Sequence, residues 1–438
     1  MYRTLPELVV PDRPDRVARY ERLGFGLFVH WGLYSQLERG EWAWYHHRMD
    51  REDYLKRFAT FTACDFDADR LIEQARRAGC RYVVLTTRHH EGFSLYDTCG
   101  LNAFDAPHSP AGRDLVREFS DACDRAGLAK FFYHTTLDWW HADFDAAGRW
   151  EAYLDYLNRS VELLCTRYGR VDGLWFDGNW FRKERDWNES ALYRMIRRHQ
   201  PEAIIVNNSS TGALGAECHP EVDIRTFEQG RPTRPDRRGA VRYTAIEMCD
   251  TIHSHWGCSR EDFSQQSPAQ LIAKLALCRK VGANYLLNLG PGPQGAIPPY
   301  DAACLDIVGR WAAICPKALT AAEPTDLLCR GDDFVLRDGP DYYYFAHHLD
   351  INENGHLHHG EGAGLRTIMG ALPRITTAAW CDNGEPLAFT QGTLPQTPTV
   401  AGGQVHGQAE ALAIRMTRWP YGHQKVIRIA RLTTADSK

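Results

Sequence analysis

Residues Val171 to Trp180 read VDGLWFDGNW, and the fold turns on how this stretch is read. Leu174-Trp175-Phe176 places three large apolar side chains in succession, which suits a strand buried on both faces, as in a parallel sheet or barrel. The run stops at Asp177-Gly178. A glycine after the aspartate lets the backbone turn sharply and leaves the carboxylate at the strand's C-terminal mouth, where a (β/α)8 barrel gathers its functional side chains. The same segment also suits a loop aspartate that caps the next helix. The rest of the chain decides between the two.

Seven further apolar segments read as strands: Phe25 to Gly32, Tyr82 to His90, Lys130 to Thr136, Ala203 to Asn208, Val222 to Glu228, Tyr243 to Cys249 and Asn284 to Gly290. Between many of them lie amphipathic stretches with helix-stop signals, such as Asp67 to Ala78 before Gly79 and Asp114 to Ala126 before Gly127. Strand–helix alternation carried through eight strands predicts a (β/α)8 barrel of the TIM type. Few helical residues separate strands five, six and seven, so irregular loops are expected there. From about Thr320 the helical period gives way to short alternating runs punctuated by Gly, Asn and Pro. This texture predicts a C-terminal antiparallel β-sandwich, with the barrel over residues 1–319 and the sandwich over 320–438.

The 438 residues suit such a barrel plus one accessory domain. A net charge of −5 offers no basic patch for nucleic acid, and no apolar run is long enough to span a membrane. The 13 cysteines are odd in number and scattered, without CxxC or Cys/His metal spacing. With no basic segment leading into an apolar one at the N-terminus, they suggest reduced thiols in a cytoplasmic protein. Homo-oligomer formation is compatible with the sequence.

The polar residues that close the strands share a pattern. His30-Trp31 ends the first, His89-His90-Glu91 the second, and Tyr133-His134 the third, while Asp177 ends the fourth, Glu228 the sixth, and Glu247 lies on the seventh. Several imidazoles and carboxylates arriving at one mouth are hard to explain as packing, because each buried polar group needs a partner. Three readings use such a set. A metal-dependent barrel hydrolase would bind an ion through the histidines, but no HxH closes strand one. A glycosidase would place two carboxyl groups across a glycosidic bond, with imidazoles and indoles holding hydroxyls. A catalytically silent carbohydrate-binding protein would use the same histidines and tryptophans, but has no need of the paired acids.

The segments FGLFVHWGLYS, YVVLTTRHHEGF, GRDLVREFSDACDRAGL, WFDG, DIRTFEQGRP, IEMCDTIHSHWG and NYLLNLGPGPQGAIPP together resemble the retaining α-L-fucosidases of glycoside hydrolase family twenty-nine. The resemblance covers residues ~20 to 315 in order and approximate spacing, and the sandwich fits the family's C-terminal domain. It implies exo-hydrolysis of terminal α-L-fucosyl linkages in oligosaccharides or glycoconjugates, with no metal or organic cofactor. By the same resemblance Asp177 is the nucleophile, and Glu228 of DIRTFEQ is the acid/base with Glu247 as the alternative. His30, His89 and His90 hold fucose hydroxyls, Trp44 borders the sugar, and Tyr133, His134 and Trp256 complete the binding set. Phe28, Trp256 and Trp44 are candidates for the apolar wall facing the 6-methyl group. The chain departs from the family pattern at Phe227, where Pro is usual, at His134, which replaces an aromatic residue, and at Glu91, where Asp is commoner. Retention calls for carboxyl groups roughly 5 to 5.5 Å apart, and Asp177 is expected to be held ionised by strand-end hydrogen bonds.

Overall fold

The computed structural model describes residues 9–208, 213–351, 364–395, 399–400, 403–404 and 408–435. Eight parallel strands form the first unit: β1 (Phe25–Val29), β2 (Tyr82–Arg88), β3 (Ala129–Thr135), β4 (Gly173–Asp177), β5 (Ile204–Asn207), β6 (Ile224–Glu228), β7 (Ala245–Thr251) and β8 (Asn284–Leu289). They pair in the order β5-β4-β3-β2-β1-β8-β7-β6, which is the expected barrel. Alternate side chains fill its interior, including Phe28, Tyr82, Val84, Phe131, Tyr133, Trp175, Ile204, Val206, Ala245 and Leu286. The helix Asp15–Glu21 adds Val17 and Tyr20 to that core.

Helix ends follow the local sequence. Asp67 and Asp114 cap Ala68–Ala78 and Leu115–Ala126 by accepting from the N–H groups of Arg70 and Arg117. Gly79 and Gly127 close these helices in the left-handed region, where a side chain would be strained. The irregular stretch lies where it was expected, and no helix separates β5, β6 and β7 among the described residues.

The ring closes between β5 and β6 without a regular ladder. Asp223, just before β6, joins the two strands instead. Its N–H donates to the Ile205 carbonyl at 2.8 Å, and its carboxylate accepts from the Ile205 N–H at 3.0 Å. The same carboxylate accepts from Arg16 at 3.0 Å and Arg197 at 2.8 Å.

The second compact unit comprises Ser267–Gly282 and Ile307–Lys438, while Ala283–Asp306 belongs with the barrel unit. The units therefore interleave along the chain, in place of the single cut at residue 319 expected from texture. Antiparallel strands dominate the second unit. One sheet runs Ile375–Trp380, Arg428–Thr434, Asp341–Ala346, Phe334–Asp338 and Glu323–Pro324, and another runs Leu365–Met369, Gln408–Arg415 and Phe389–Pro395. Val335, Tyr344, Ile368, Trp380, Leu412, Ile414 and Leu432 from both sheets meet in one apolar core, which makes this a β-sandwich. Among the described residues, no helix is long and apolar enough to cross a membrane.

Candidate active site

At the C-terminal ends of the barrel strands a cavity of ≈ 260 Å³ opens, lined by Phe28, His30, Trp42, His89, Tyr133, Trp175, Asp177, Trp180, Asn208, Glu228 and Trp256. That volume lies below the ~300 to 1,000 Å³ of sites for drug-sized ligands, which suits one sugar ring better than a longer chain.

Asp177 ends β4, and Gly178 follows at φ +112, where a Cβ would press on Thr136 Oγ1 and Leu137 at 3.0 Å. The turn leaves the Asp177 side chain 15% exposed. Trp180 Nε1 donates to its Oδ1 at 2.8 Å, and the Tyr133 hydroxyl to its Oδ2 at 3.3 Å. These bonds favour the charged form, as expected from the sequence. Burial and the proximity of a second carboxyl group, Glu228, outweigh them, and the carboxyl is pushed up from 3.8 to about 7. The expected firmly ionised carboxylate is therefore corrected to one poised at neutrality. Glu228 ends β6 and accepts from Asn208 Nδ2 at 2.7 Å.

The imidazoles at the mouth have defined faces. Asn288 Nδ2 donates to the Trp256 carbonyl at 2.8 Å, so its Oδ1 is the acceptor for His30 Nδ1–H at 2.7 Å. The His30 Nε2 lone pair is left for a ligand. His90 Nδ1 donates to Thr135 Oγ1 at 2.7 Å, since that hydroxyl spends its own proton on the Leu137 carbonyl. Its Nε2 lies 3.6 Å from Asp177 Oδ2. Burial pushes both rings down to about 3, so they are neutral and can pair with hydroxyls. His89 lines the cavity and stacks on Tyr133 with centroids 5.7 Å apart.

Four residues singled out from the sequence are not among those lining the cavity: His90, which lies behind it against Asp177, and three placed elsewhere. His134 follows Tyr133 on β3, and alternation turns it to the outer face. There its Nδ1 meets the Thr135 carbonyl at 2.7 Å and its Nε2 the Tyr96 hydroxyl at 3.3 Å. Glu247 faces inward but sits below the mouth, 1% exposed, and accepts from Trp175 Nε1 at 2.9 Å, Tyr82 at 2.8 Å and Tyr20. Trp44 packs on Trp139 and Trp140, at 5.5 and 5.1 Å, outside the cavity lining.

Trp42 stands in the wall in place of Trp44, 5.2 Å from His90 and 5.8 Å from Trp180. The Glu41-Trp42 dipeptide was the available signal, two residues upstream of the one chosen. Trp180 and Asn208 were also missed. Trp180 stands two residues past the WFDG motif, and Asn208 is the polar residue that closes the fifth strand. Of the three residues expected to form an apolar wall, Phe28 and Trp256 line the cavity, 6.0 Å apart, and Trp44 does not. Among the described residues, no group of three or more His, Cys, Asp or Glu is placed to hold a metal ion.

The family model described as Alpha-L-fucosidase matches residues 12–315. Tissue alpha-L-fucosidase of Bos taurus is 30% identical over 359 residues, 73% of each chain. The structure of alpha-L-fucosidase isoenzyme 1 from Paenibacillus thiaminolyticus superposes with TM-score 0.78 at 28% identity, covering 96% of this chain and 99% of that one. The alpha-fucosidase of Thermotoga maritima in complex with fucose shares the fold, with TM-score 0.72 at 22% identity over 97% of both chains. With a barrel mouth carrying two carboxyl groups and neutral imidazoles around a monosaccharide-sized cavity, the chain belongs to the α-L-fucosidase family of glycoside hydrolases.

Proposed function

We propose that this α-L-fucosidase removes terminal fucose through a covalent ester on Asp177, with Glu228 as the acid/base. The observation that carries the assignment is that Asp177 and Glu228 both open into one cavity, where the charge of one bears on the other. Asp177 attacks the anomeric carbon while Glu228 protonates the departing oxygen. Glu228, now ionised, takes a proton from water as that water attacks the ester and releases fucose with net retention. A carboxyl that is reluctant to be charged in the empty site gains most when positive charge develops on the ring carbon, so its stabilisation falls on the transition state.

The His30 and His90 lone pairs accept from sugar hydroxyls, His89 and Tyr133 add further contacts, and Phe28 with Trp256 faces the methyl group. The odd, scattered set of 13 cysteines supports a reducing compartment such as the cytoplasm. Fucosylated oligosaccharides or glycoconjugates are the proposed substrates. Turnover of an aryl α-L-fucoside followed by NMR should give α-fucose as the first product. β-Fucose as the first product would rule out the ester.

A further inference from the structure

One buried acid beside the mouth has no part in the chemistry above. Glu91 follows the two histidines beyond β2, is 1% exposed, and neither carboxyl oxygen has a hydrogen-bond partner from another residue among the described residues. Its Oε2 lies 3.8 Å from His89 Nδ1, a nitrogen equally buried and unbonded. His89 stands between this acid and the cavity, edge-on to Tyr34 at 5.3 Å and stacked on Tyr133. An imidazole with Nδ1 turned inward presents Nε2 to the ligand, and the partner of Nδ1 sets whether Nε2 donates or accepts. For His30 and His90 the partners are Asn288 and Thr135, and both rings offer lone pairs. For His89 the acid beside Nδ1, among the described residues, is Glu91.

We propose that Glu91 is a positioning residue whose carboxyl proton is directed at His89 Nδ1, so that His89 presents Nε2–H to the sugar as a donor, opposite in sense to His30 and His90. The inference rests on His89 being a sugar-binding group. Burial drives the Glu91 carboxyl up to about 8, against its own backbone N–H and with the negative Asp138 outweighing Arg88. Tyr34, Tyr54 and Tyr133 are further ionisable groups that feel its charge. Burial and the neighbouring His90 and His30 hold the His89 ring well below the usual histidine range, so it is neutral. A neutral acid beside a neutral ring has one arrangement that satisfies both: O–H donates and Nδ1 accepts. Separations in a ligand-free site shorten when a ligand fixes the ring. Above the carboxyl's range the pair reverses. The carboxylate then takes Nδ1–H, and Nε2 turns into a third acceptor facing hydroxyls that each have one proton to give.

Nitrogen-15 histidine NMR on the full chain, with His89→Gln to assign the signal, reads the tautomer directly. The wild type should show His89 protonated at Nε2 at pH 7 and switch to Nδ1 as pH rises through about 8. Glu91→Gln can still donate from its amide, so its kcat/KM on an aryl α-L-fucoside should stay within about threefold of wild type at pH 7. Its decline on the alkaline side should be lost. Glu91→Leu should lose about tenfold or more. An Nδ1-protonated His89 at pH 7, or a Gln variant no better than Leu, overturns the proposal. If the Leu variant does not fold, the wild-type spectrum decides alone. Because the tautomer is read without substrate, it stands or falls separately from the roles given to Asp177 and Glu228.

Discussion

Asp177 and Glu247 are both interior acids of one barrel, and their surroundings teach opposite lessons. Glu247 is walled by rings and supplied with three donors, Trp175, Tyr82 and Tyr20. Every direction from which a reacting atom would come is occupied. Asp177 has two donors on one side and a cavity on the other. Burial raises the carboxyl of both, so desolvation alone does not mark a reactive acid. What separates them is an open approach and a second acid within electrostatic reach.

The sharpest way to break this contrast is to remove each acid in turn. Asp177→Ala should lower kcat by about 10³-fold or more, and azide in the vacated space should restore part of it as β-fucosyl azide. Wild-type rates without azide would transfer the nucleophile elsewhere. Glu228→Gln should cost about 10² to 10⁴ in kcat on oligosaccharides, and much less in the first step on aryl fucosides whose leaving group needs no proton. Glu247→Gln should instead keep kcat per folded molecule within about tenfold and lower stability by about 1–3 kcal/mol, since the amide NH2 cannot accept from donors that now meet the carboxyl. A Glu247 variant that folds normally but is inactive would reverse the two assignments.

A smaller effect tests the reading of the imidazoles. His30→Ala should lose about 2–4 kcal/mol of transition-state binding in kcat/KM on a fucoside. The loss should shrink on a substrate deoxygenated at the hydroxyl that His30 contacts. An equal loss on every deoxy analogue would make His30 structural.

A final test concerns stability and pH. Asp177 is raised in the folded chain, so between roughly pH 4 and pH 7 the native state binds more protons than the unfolded one, and stability falls as pH rises through that window. Asp177→Asn removes this penalty. It should stabilise the fold by about 4 kcal/mol at pH 8 and by almost nothing at pH 4, read by denaturant titration at both values. For the same reason kcat/KM of the wild type should decline on the acid side through about pH 7. A constant gain across pH would assign the stabilisation to something other than ionisation.

Much of this was legible in the sequence because apolar runs that end in a polar residue mark both a parallel strand and its mouth. Asp177, His30 and Glu228 lie at strand ends for that reason. What the sequence hid was direction. His134 adjoins Tyr133 on β3, and a period of two sends one into the cavity and the other to Tyr96. Glu247 was legible as inward-facing, but its depth depends on which residues of β7 reach the mouth, and that is set by register with β8. Trp42 and Trp44 are both ringed by aromatics, and only the path of the loop decides which meets the cavity. Trp180 and Asn208, which donate to Asp177 and Glu228, lie past the strand ends, where spacing carries no directional signal.

The joint at Asp223 has a mechanical consequence. A hoop welded along seven joints and latched at the eighth changes girth at the latch. Asp177 rides on β4, laddered on both sides, whereas Glu228 rides on β6, laddered to β7 alone. Its own hydrogen bond to Asn208 crosses the latch at the mouth. In the proposed reaction one carboxyl must hold its line to a carbon, while the other serves first a departing oxygen and then an arriving one. The barrel thus clamps the fixed tool and hangs the adjustable one on its single hinge.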